Sequence, residues 1–157
     1  MLRARPRGPL SRSWIVEAED GASVAELDLA MIKEGGRLTY EGRTWRFERE
    51  RLMSGPWLLK DGADVVFEAR KPAMMRNRFM VNVKNAPLEL SPKSWAMRGF
   101  ALVGPDWRDL GEIRRPSWLS RRVEVDLDAA VPIPAQLFFL CLAIVLWNRA
   151  DSAAASA

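Results

Sequence analysis

Apolar and polar residues alternate in short segments through most of the chain, between Trp14 and Asp128. A period of two places successive side chains on opposite faces of a strand, one toward a core and one toward solvent. Turn signals such as Asp20-Gly21, Glu41-Gly42 and Asp61-Gly62 separate the segments. The pattern predicts about eleven or twelve short strands with a turn roughly every 8–12 residues, which is typical of an all-β barrel or sandwich.

The alternation also predicts which way the side chains of these strands face. Seven apolar residues are expected to point inward: Leu27, Leu29, Phe47, Phe79, Val81, Val123 and Val125. Four acidic residues between them are expected to point outward: Glu26, Asp28, Glu124 and Asp126. A slip of one residue would invert all of these side chains, so the facing is a strong test of the strand prediction.

The C-terminal part of the chain follows a different pattern. Ala135 to Trp147 reads AQLFFLCLAIVLW, without a charged residue or a glycine. A helix that is apolar on every face is either enclosed by protein or spans lipid. The run is about 13 residues, or roughly 20 Å as a helix, whereas a membrane span needs about 20 residues. This length favours a buried core helix over 134–148, with Pro132 and Pro134 at its start, and leaves a tail-anchored membrane helix as the alternative.

The two patterns together predict the architecture. About eight strands make a barrel that side chains alone can fill, whereas about twelve leave a wider lumen. An apolar helix suits such a lumen, as in barrels built around a central helix. We therefore expect a mainly β fold, in which a closed antiparallel barrel of about twelve strands encloses the hydrophobic C-terminal helix.

The length of 157 residues fits one domain, which we expect to cover residues 14–149. Residues 1–13 carry four arginines, no acidic residue and no apolar signal segment, so they are predicted to be a basic disordered tail. Residues 150–157, which are mostly Ala and Ser, are predicted to be a second disordered tail.

A short internal repeat supports this organisation. Phe67–Pro72 (FEARKP) corresponds to Gly111–Pro116 (GEIRRP) at an offset of 44 residues, and Arg78–Val83 corresponds to Arg122–Leu127 at the same offset. Each copy reads as a strand that ends in two basic residues and a proline, followed by a loop and a second strand.

Composition argues against an enzyme, a metal site or a bound cofactor. The chain has no His, which removes the commonest general base and metal ligand. Its one cysteine, Cys141, lies in the apolar helix, where a thiol stays protonated and unreactive. Asp126 and Asp128 share a strand face but lack the further ligands that a cation needs. A single cysteine also predicts a reducing, cytoplasmic compartment.

The strongest candidate chemistry is basic. The net charge is +4, and basic residues cluster at equivalent places in the two copies of the repeat. The candidate anion-binding or lipid-binding residues are Arg70, Lys71, Arg114, Arg115, Trp118, Arg121 and Arg122. Clustered arginine beside an interfacial tryptophan suits an anionic membrane surface. The alternative is ordinary solvated strand ends, balanced by Glu68 and Glu112.

Segments such as WLLKDGADVVFEARK and FALVGPDWRDLGEIRRP resemble the repeated units of the tubby C-terminal-like superfamily, which includes the LURP-one-related proteins and the phospholipid scramblases. The ending VEVDLDAAVPIPAQLFFLCLAIVLW is similar to their last strand and hydrophobic C-terminal helix. The resemblance implies a closed barrel threaded by that helix. The acidic calcium segment of scramblases is replaced by the basic Ser120-Arg121-Arg122, so calcium binding is not expected.

Three functions therefore remain open at this stage. The favoured one is a non-enzymatic LURP-one-related barrel that binds anionic lipid at the membrane periphery or acts as a scaffold for protein partners. The second is a tail-anchored membrane protein with a cytosolic β-domain, and the third is an enzyme with an unrecognised site. Nucleic acid is not an expected partner, because few aromatic residues are interleaved with the basic ones.

Overall fold

The computed structural model describes residues 1–30, 35–51, 54–72, 77–94, 98–117 and 119–157. Twelve strands and one long helix make up this part of the chain. The strands are β1 (Leu2–Pro6), β2 (Ser13–Glu17), β3 (Ser23–Ala30), β4 (Gly35–Tyr40), β5 (Arg43–Arg51), β6 (Ser54–Asp61), β7 (Asp64–Arg70), β8 (Phe79–Val83), β9 (Ala86–Pro92), β10 (Gly99–Val103), β11 (Asp109–Arg114) and β12 (Val123–Leu127). A short 3₁₀ turn covers Pro105–Trp107, and the helix α1 covers Ile133–Ala155.

The strands form a closed antiparallel barrel in which each pairs with its neighbours in sequence, and β1 pairs with β12 to close the ring. This confirms the predicted fold class. The prediction of a disordered tail over residues 1–13 is wrong, because Leu2 and Ala4 are buried and pair with Val125 and Val123. Without β1 the edges of β2 and β12 would expose unpaired backbone groups, so the first strand completes the barrel.

The predicted facing of the strands is confirmed. All seven apolar residues named above are buried, with at most 3% of their surface exposed. Glu26, Asp28 and Asp126 are exposed, and Glu124 is half-buried on the outer face, where Arg114 covers it. The period of two therefore holds at these positions, whereas β6 departs from it with Trp57, Leu58 and Leu59 all buried.

The helix fills the barrel. Every residue from Ala135 to Trp147 is buried. The ring of Phe138 lies edge-on to Phe47, with centroids 5.9 Å apart, and stacks on Phe67 at 5.7 Å. Trp147 meets Phe100 near the other end of the lumen, at 5.4 Å. An apolar helix that contacts β5, β7 and β10 is the core of the barrel, which agrees with its lack of a polar face.

The helix is longer than predicted. It begins after Pro132, whose carbonyl accepts a hydrogen bond from Gln136 N, and Pro134 lies in its first turn, as expected. However, it continues to Ala155 rather than ending at residue 148, so the predicted disordered tail over 150–157 is mostly helical. The reason is that this segment is rich in alanine, the best helix former, and contains no glycine or proline.

The internal repeat is structural as well as sequential. In the β7–β8 pair, Ala69 lies opposite Val81, and in the β11–β12 pair, Ile113 lies opposite Val125. Both positions are shifted by the same 44 residues. The two hairpins have the same register and lie four strands apart around the barrel.

Candidate anion-binding rim

The two ends of the barrel are built from different sets of loops. Because neighbouring strands are antiparallel and the ring is closed, all odd-numbered strands run in one direction. The loops that follow odd-numbered strands therefore lie at one end, which we call the basic rim, and those that follow even-numbered strands lie at the other, the acidic rim. The helix enters at the acidic rim, after β12, and its C-terminal end reaches the basic rim.

Charge is segregated between these two ends. Among the described residues of its loops, the basic rim carries nine basic and no acidic residues: Arg7, Arg12, Lys71, Arg78, Lys93, Arg98, Arg115, Arg121 and Arg122. The loops of the acidic rim carry five acidic and two basic residues: Glu19, Asp20, Glu41, Asp106, Asp128, Lys84 and Arg108. The net charge of +4 thus conceals an uneven distribution of loop charge, in which Arg7, Arg78, Lys93 and Arg115 each pair with a carboxylate outside these loops.

Side chains alternate along a strand, and this separates the two adjacent basic residues at the end of each repeat copy, Arg70-Lys71 and Arg114-Arg115. Arg70 and Arg114 occupy outward positions on the barrel wall, where they pair with acidic neighbours. Arg70 Nη2 lies 2.6 Å from Glu68 Oε1, and Arg114 Nη2 lies 2.7 Å from Glu124 Oε2. The hydrogen bond to Glu124 and its negative charge raise the pKa of Arg114. For these two residues, the structure favours the alternative of ordinary surface charge pairs.

The second residue of each pair, Lys71 or Arg115, lies over an aromatic ring at the open end of the barrel. Lys71 Nζ lies 5.5 Å from the ring centroid of Phe79, and the guanidinium of Arg115 lies 4.8 Å from that of Trp147. Burial lowers the pKa of Lys71, and the positive charges of Arg149 and Arg49 lower it further. Lys71 therefore lies near two other positive charges, and a bound anion would reduce the repulsion among the three.

Arg121 and Arg122 differ in the same way. Arg121 lies over Trp14, 5.0 Å from the ring centroid, and Nη1 donates hydrogen bonds to the carbonyls of Pro9 and Ser11 at 3.2 and 2.9 Å. Its role is to hold the β1–β2 loop against the β11–β12 loop. Arg122 is exposed, and no acidic side chain of the described residues forms an ion pair with it. Trp118, the predicted aromatic member of the site, lies outside the described residues.

Sequence reasoning missed two further cations at this end. The guanidinium groups of Arg49 and Arg149 both lie over the buried ring of Trp57, at 5.0 and 5.3 Å from its centroid. Arg49 follows Phe47 by two residues, as Phe47 follows Trp45, so the strand period places all three on the inward face. This period was the signal in the sequence that could have identified Arg49. In the described part of the chain, all five cation–π contacts belong to the basic rim.

Two exposed arginines were also missed. Arg12 and Arg98 lie in the loops that follow β1 and β9, and neither side chain has an ion pair with a described residue. Together with Arg122 they are exposed arginines of the basic rim that have no ion pair with a described residue. We refer to Arg12, Arg98 and Arg122 as the open arginines.

The rim has the chemistry of a binding surface. Five of the cations at this end lie on aromatic rings, so these five are placed before any ligand arrives. No group of three or more potential metal ligands occurs among the described residues. Asp128, one of the two acidic residues considered for a cation, instead lies 3.3 Å from Arg108. Burial raises the pKa of the Cys141 thiol to about 12, so it stays protonated.

Comparisons of the chain with protein-family models, with characterised proteins and with solved structures found no match.

Proposed function

We propose that this protein is a non-enzymatic barrel of the LURP-one-related, tubby-like kind that docks its basic rim on anionic phospholipid surfaces. The observation that carries the proposal is the segregation of charge, with nine basic and no acidic residues in the described loops of one end. A flat anionic surface would meet that end and be repelled by the other. Docking would therefore have one orientation, with the barrel axis directed at the bilayer.

The strength of such docking follows from the number of accessible cations. Each basic group near an anionic bilayer contributes about 1 kcal/mol. The three open arginines would then contribute about 3 kcal/mol, before the cations that lie on aromatic rings are considered. This amount supports reversible association rather than permanent anchoring.

The aromatic residues of the rim argue against nucleic acid as the partner. Proteins that hold single strands use exposed aromatic rings as platforms for bases. Here Trp14, Trp57 and Trp147 are each at most 3% exposed, and each ring is covered by an arginine. These rings position cations and are closed to bases, so the described rim offers charge without stacking.

The tail-anchored alternative requires the helix to leave the barrel. By length and composition the helix could cross a membrane, but 72% of its most apolar window is buried inside the protein. Withdrawing it would empty a lumen lined by Phe47, Phe67 and Phe100. The cost of exposing these rings and the helix favours peripheral docking with the helix in place.

The proposal is tested by sedimentation of the wild-type chain with vesicles. Phosphatidylcholine vesicles containing phosphatidylserine should bind the protein at low salt, and pure phosphatidylcholine vesicles should not. Binding should weaken as salt rises, because the screening length falls from about 30 Å at 0.01 M to about 8 Å at 0.15 M. If the protein ignores phosphatidylserine vesicles at low salt, lipid docking is wrong and a protein-binding scaffold becomes the better account.

A further inference from the structure

Two leucines stand out on the basic rim because almost nothing covers them. Leu10 is 93% exposed and Leu119 is 76% exposed. They lie in the β1–β2 and β11–β12 loops, which are neighbours at the seam where β1 closes the barrel. The other large apolar residues exposed in the described part of the chain lie away from this rim: Met1, Val65, Val66 and Trp107.

Hydrogen bonds hold both loops in place. Arg121 Nη1 joins them by donating to the carbonyls of Pro9 and Ser11. Ser11 N donates to the carbonyl of Gly8, which closes a turn around Leu10. Leu119 N donates to Ser117 Oγ at 3.2 Å. The described backbone beside each leucine is therefore hydrogen-bonded, and both leucine side chains are exposed.

Basic residues flank both leucines. Arg12 follows Leu10 by two residues, and Arg122 follows Leu119 by three. A surface cleft of about 380 Å³ is lined by residues of both loops, among them Gly8, Pro9, Leu119 and Arg122. Apolar tips beside arginines match the depth profile of an anionic bilayer, in which phosphates lie just above the acyl region.

We propose that Leu10 and Leu119 insert into the acyl region of an anionic bilayer while Arg12 and Arg122 contact the lipid phosphates. The inference rests on the proposed docking of the basic rim and adds an apolar contribution that salt does not screen. The occupant is a lipid bilayer, because exposed arginines close in sequence to both leucines supply the charge complementarity that lipid phosphates require. Insertion would also fix which side of the basic rim lies deepest.

The single cysteine makes a direct test practical. Cys141 is buried and its pKa is about 12, so a polarity-sensitive thiol dye will label an introduced surface cysteine selectively. Leu10→Cys and Leu119→Cys report on the proposed insertion. Trp107→Cys is the matched control, because Trp107 is 82% exposed but lies in a loop of the acidic rim.

On phosphatidylserine vesicles, the dyes at positions 10 and 119 should shift to the blue and be quenched by acyl-chain nitroxides. The dye at position 107 should keep its emission in water. In a second measurement, Leu10→Ser combined with Leu119→Ser should weaken vesicle binding about tenfold or more at physiological salt. That double variant removes no charge and alters no buried residue, so its fold should be unchanged.

The outcomes separate the two proposals. If vesicles bind the labelled proteins but the dyes at 10 and 119 stay in water, insertion is wrong and electrostatic docking stands. If labelled and wild-type proteins ignore the vesicles even at low salt, docking fails and insertion fails with it. Blue-shifted, quenched emission at 10 and 119 alone supports both.

Discussion

The guanidinium of Arg115 is bound to the carboxylate of Asp151, with Nη1–Oδ2 at 3.0 Å and Nη2–Oδ1 at 3.3 Å. This two-point contact ties the end of β11 to the last part of the central helix, and the same guanidinium covers Trp147. A residue that sequence reasoning assigned to anion binding therefore also fastens the core helix to the barrel wall. Variants that remove Arg115 are therefore expected to lower the stability of the fold as well as to alter the rim.

The first prediction concerns this contact. Asp151→Asn should lower the free energy of unfolding by less than about 1 kcal/mol, since the Asp151 side chain is 59% exposed. Arg115→Gln should cost more, about 1–2 kcal/mol, because it also loses the packing on Trp147. Urea unfolding measures both. Arg43→Gln, which breaks a more exposed pair with Asp61, is the control and should have almost no effect; an equal cost for Arg43 and Arg115 would contradict the role of this contact.

The second prediction concerns the helix as core. Leu140 is fully buried. Leu140→Ala should lower the free energy of unfolding by about 2–5 kcal/mol, and Leu140→Asp should prevent folding, because an unpaired charge would enter an apolar interior. Leu119→Ala, a change of the same side chain at an exposed position, should stay within about 0.5 kcal/mol of wild type. If a chain that lacks everything after Pro134 is soluble and unfolds cooperatively, the helix is not the core of the barrel.

Most of the barrel was predictable because apolar and polar residues alternate with a period of two in a strand that has one buried face. Val123 and Val125 alternate with Glu124 and Asp126, and that local pattern fixed the facing of β12. The first strand was missed although Leu2 and Ala4 alternate with Arg3 in the same way. The concentration of arginine outweighed this short alternation, although Gly8-Pro9 directly after it is a turn signal.

The basic rim was only partly predictable. The sequence placed Lys71 and Arg115 among the candidate residues, but it paired them with Arg70 and Arg114, which face the opposite way. The same period of two that predicted the core should have separated them. Charge segregation between the rims could not be found, because it depends on which loops share an end of the closed barrel. Arg149 was out of reach for the same reason, since the direction of the helix decides its rim.

The third prediction concerns a glycine in β11. Gly111 has φ +104°, and a Cβ there would lie 2.1 Å from the carbonyl oxygen of Asp126 on β12. Gly111→Ala should therefore cost more than about 3 kcal/mol, since both the backbone and the strand pairing must shift. Gly21→Ala is the matched control: its φ is +85°, with no atom within 4 Å of the added Cβ, so strain alone should cost about 1–2 kcal/mol. Thermal unfolding of the two variants should rank them in this order, and the reverse order would rule out the close approach of β11 to β12.

The most direct test of the basic rim compares two triple variants that lose the same charge. One replaces the open arginines Arg12, Arg98 and Arg122 with Gln, and the other replaces Arg43, Arg46 and Arg108, which lie elsewhere on the barrel. Each lowers the net charge from +4 to +1 and changes only exposed side chains, which thermal unfolding would check. On phosphatidylserine vesicles at low salt, the rim variant should bind about 100-fold more weakly than wild type, and the control less than about threefold more weakly. Equal weakening of both variants, or of neither, would show that the basic rim is not the docking surface.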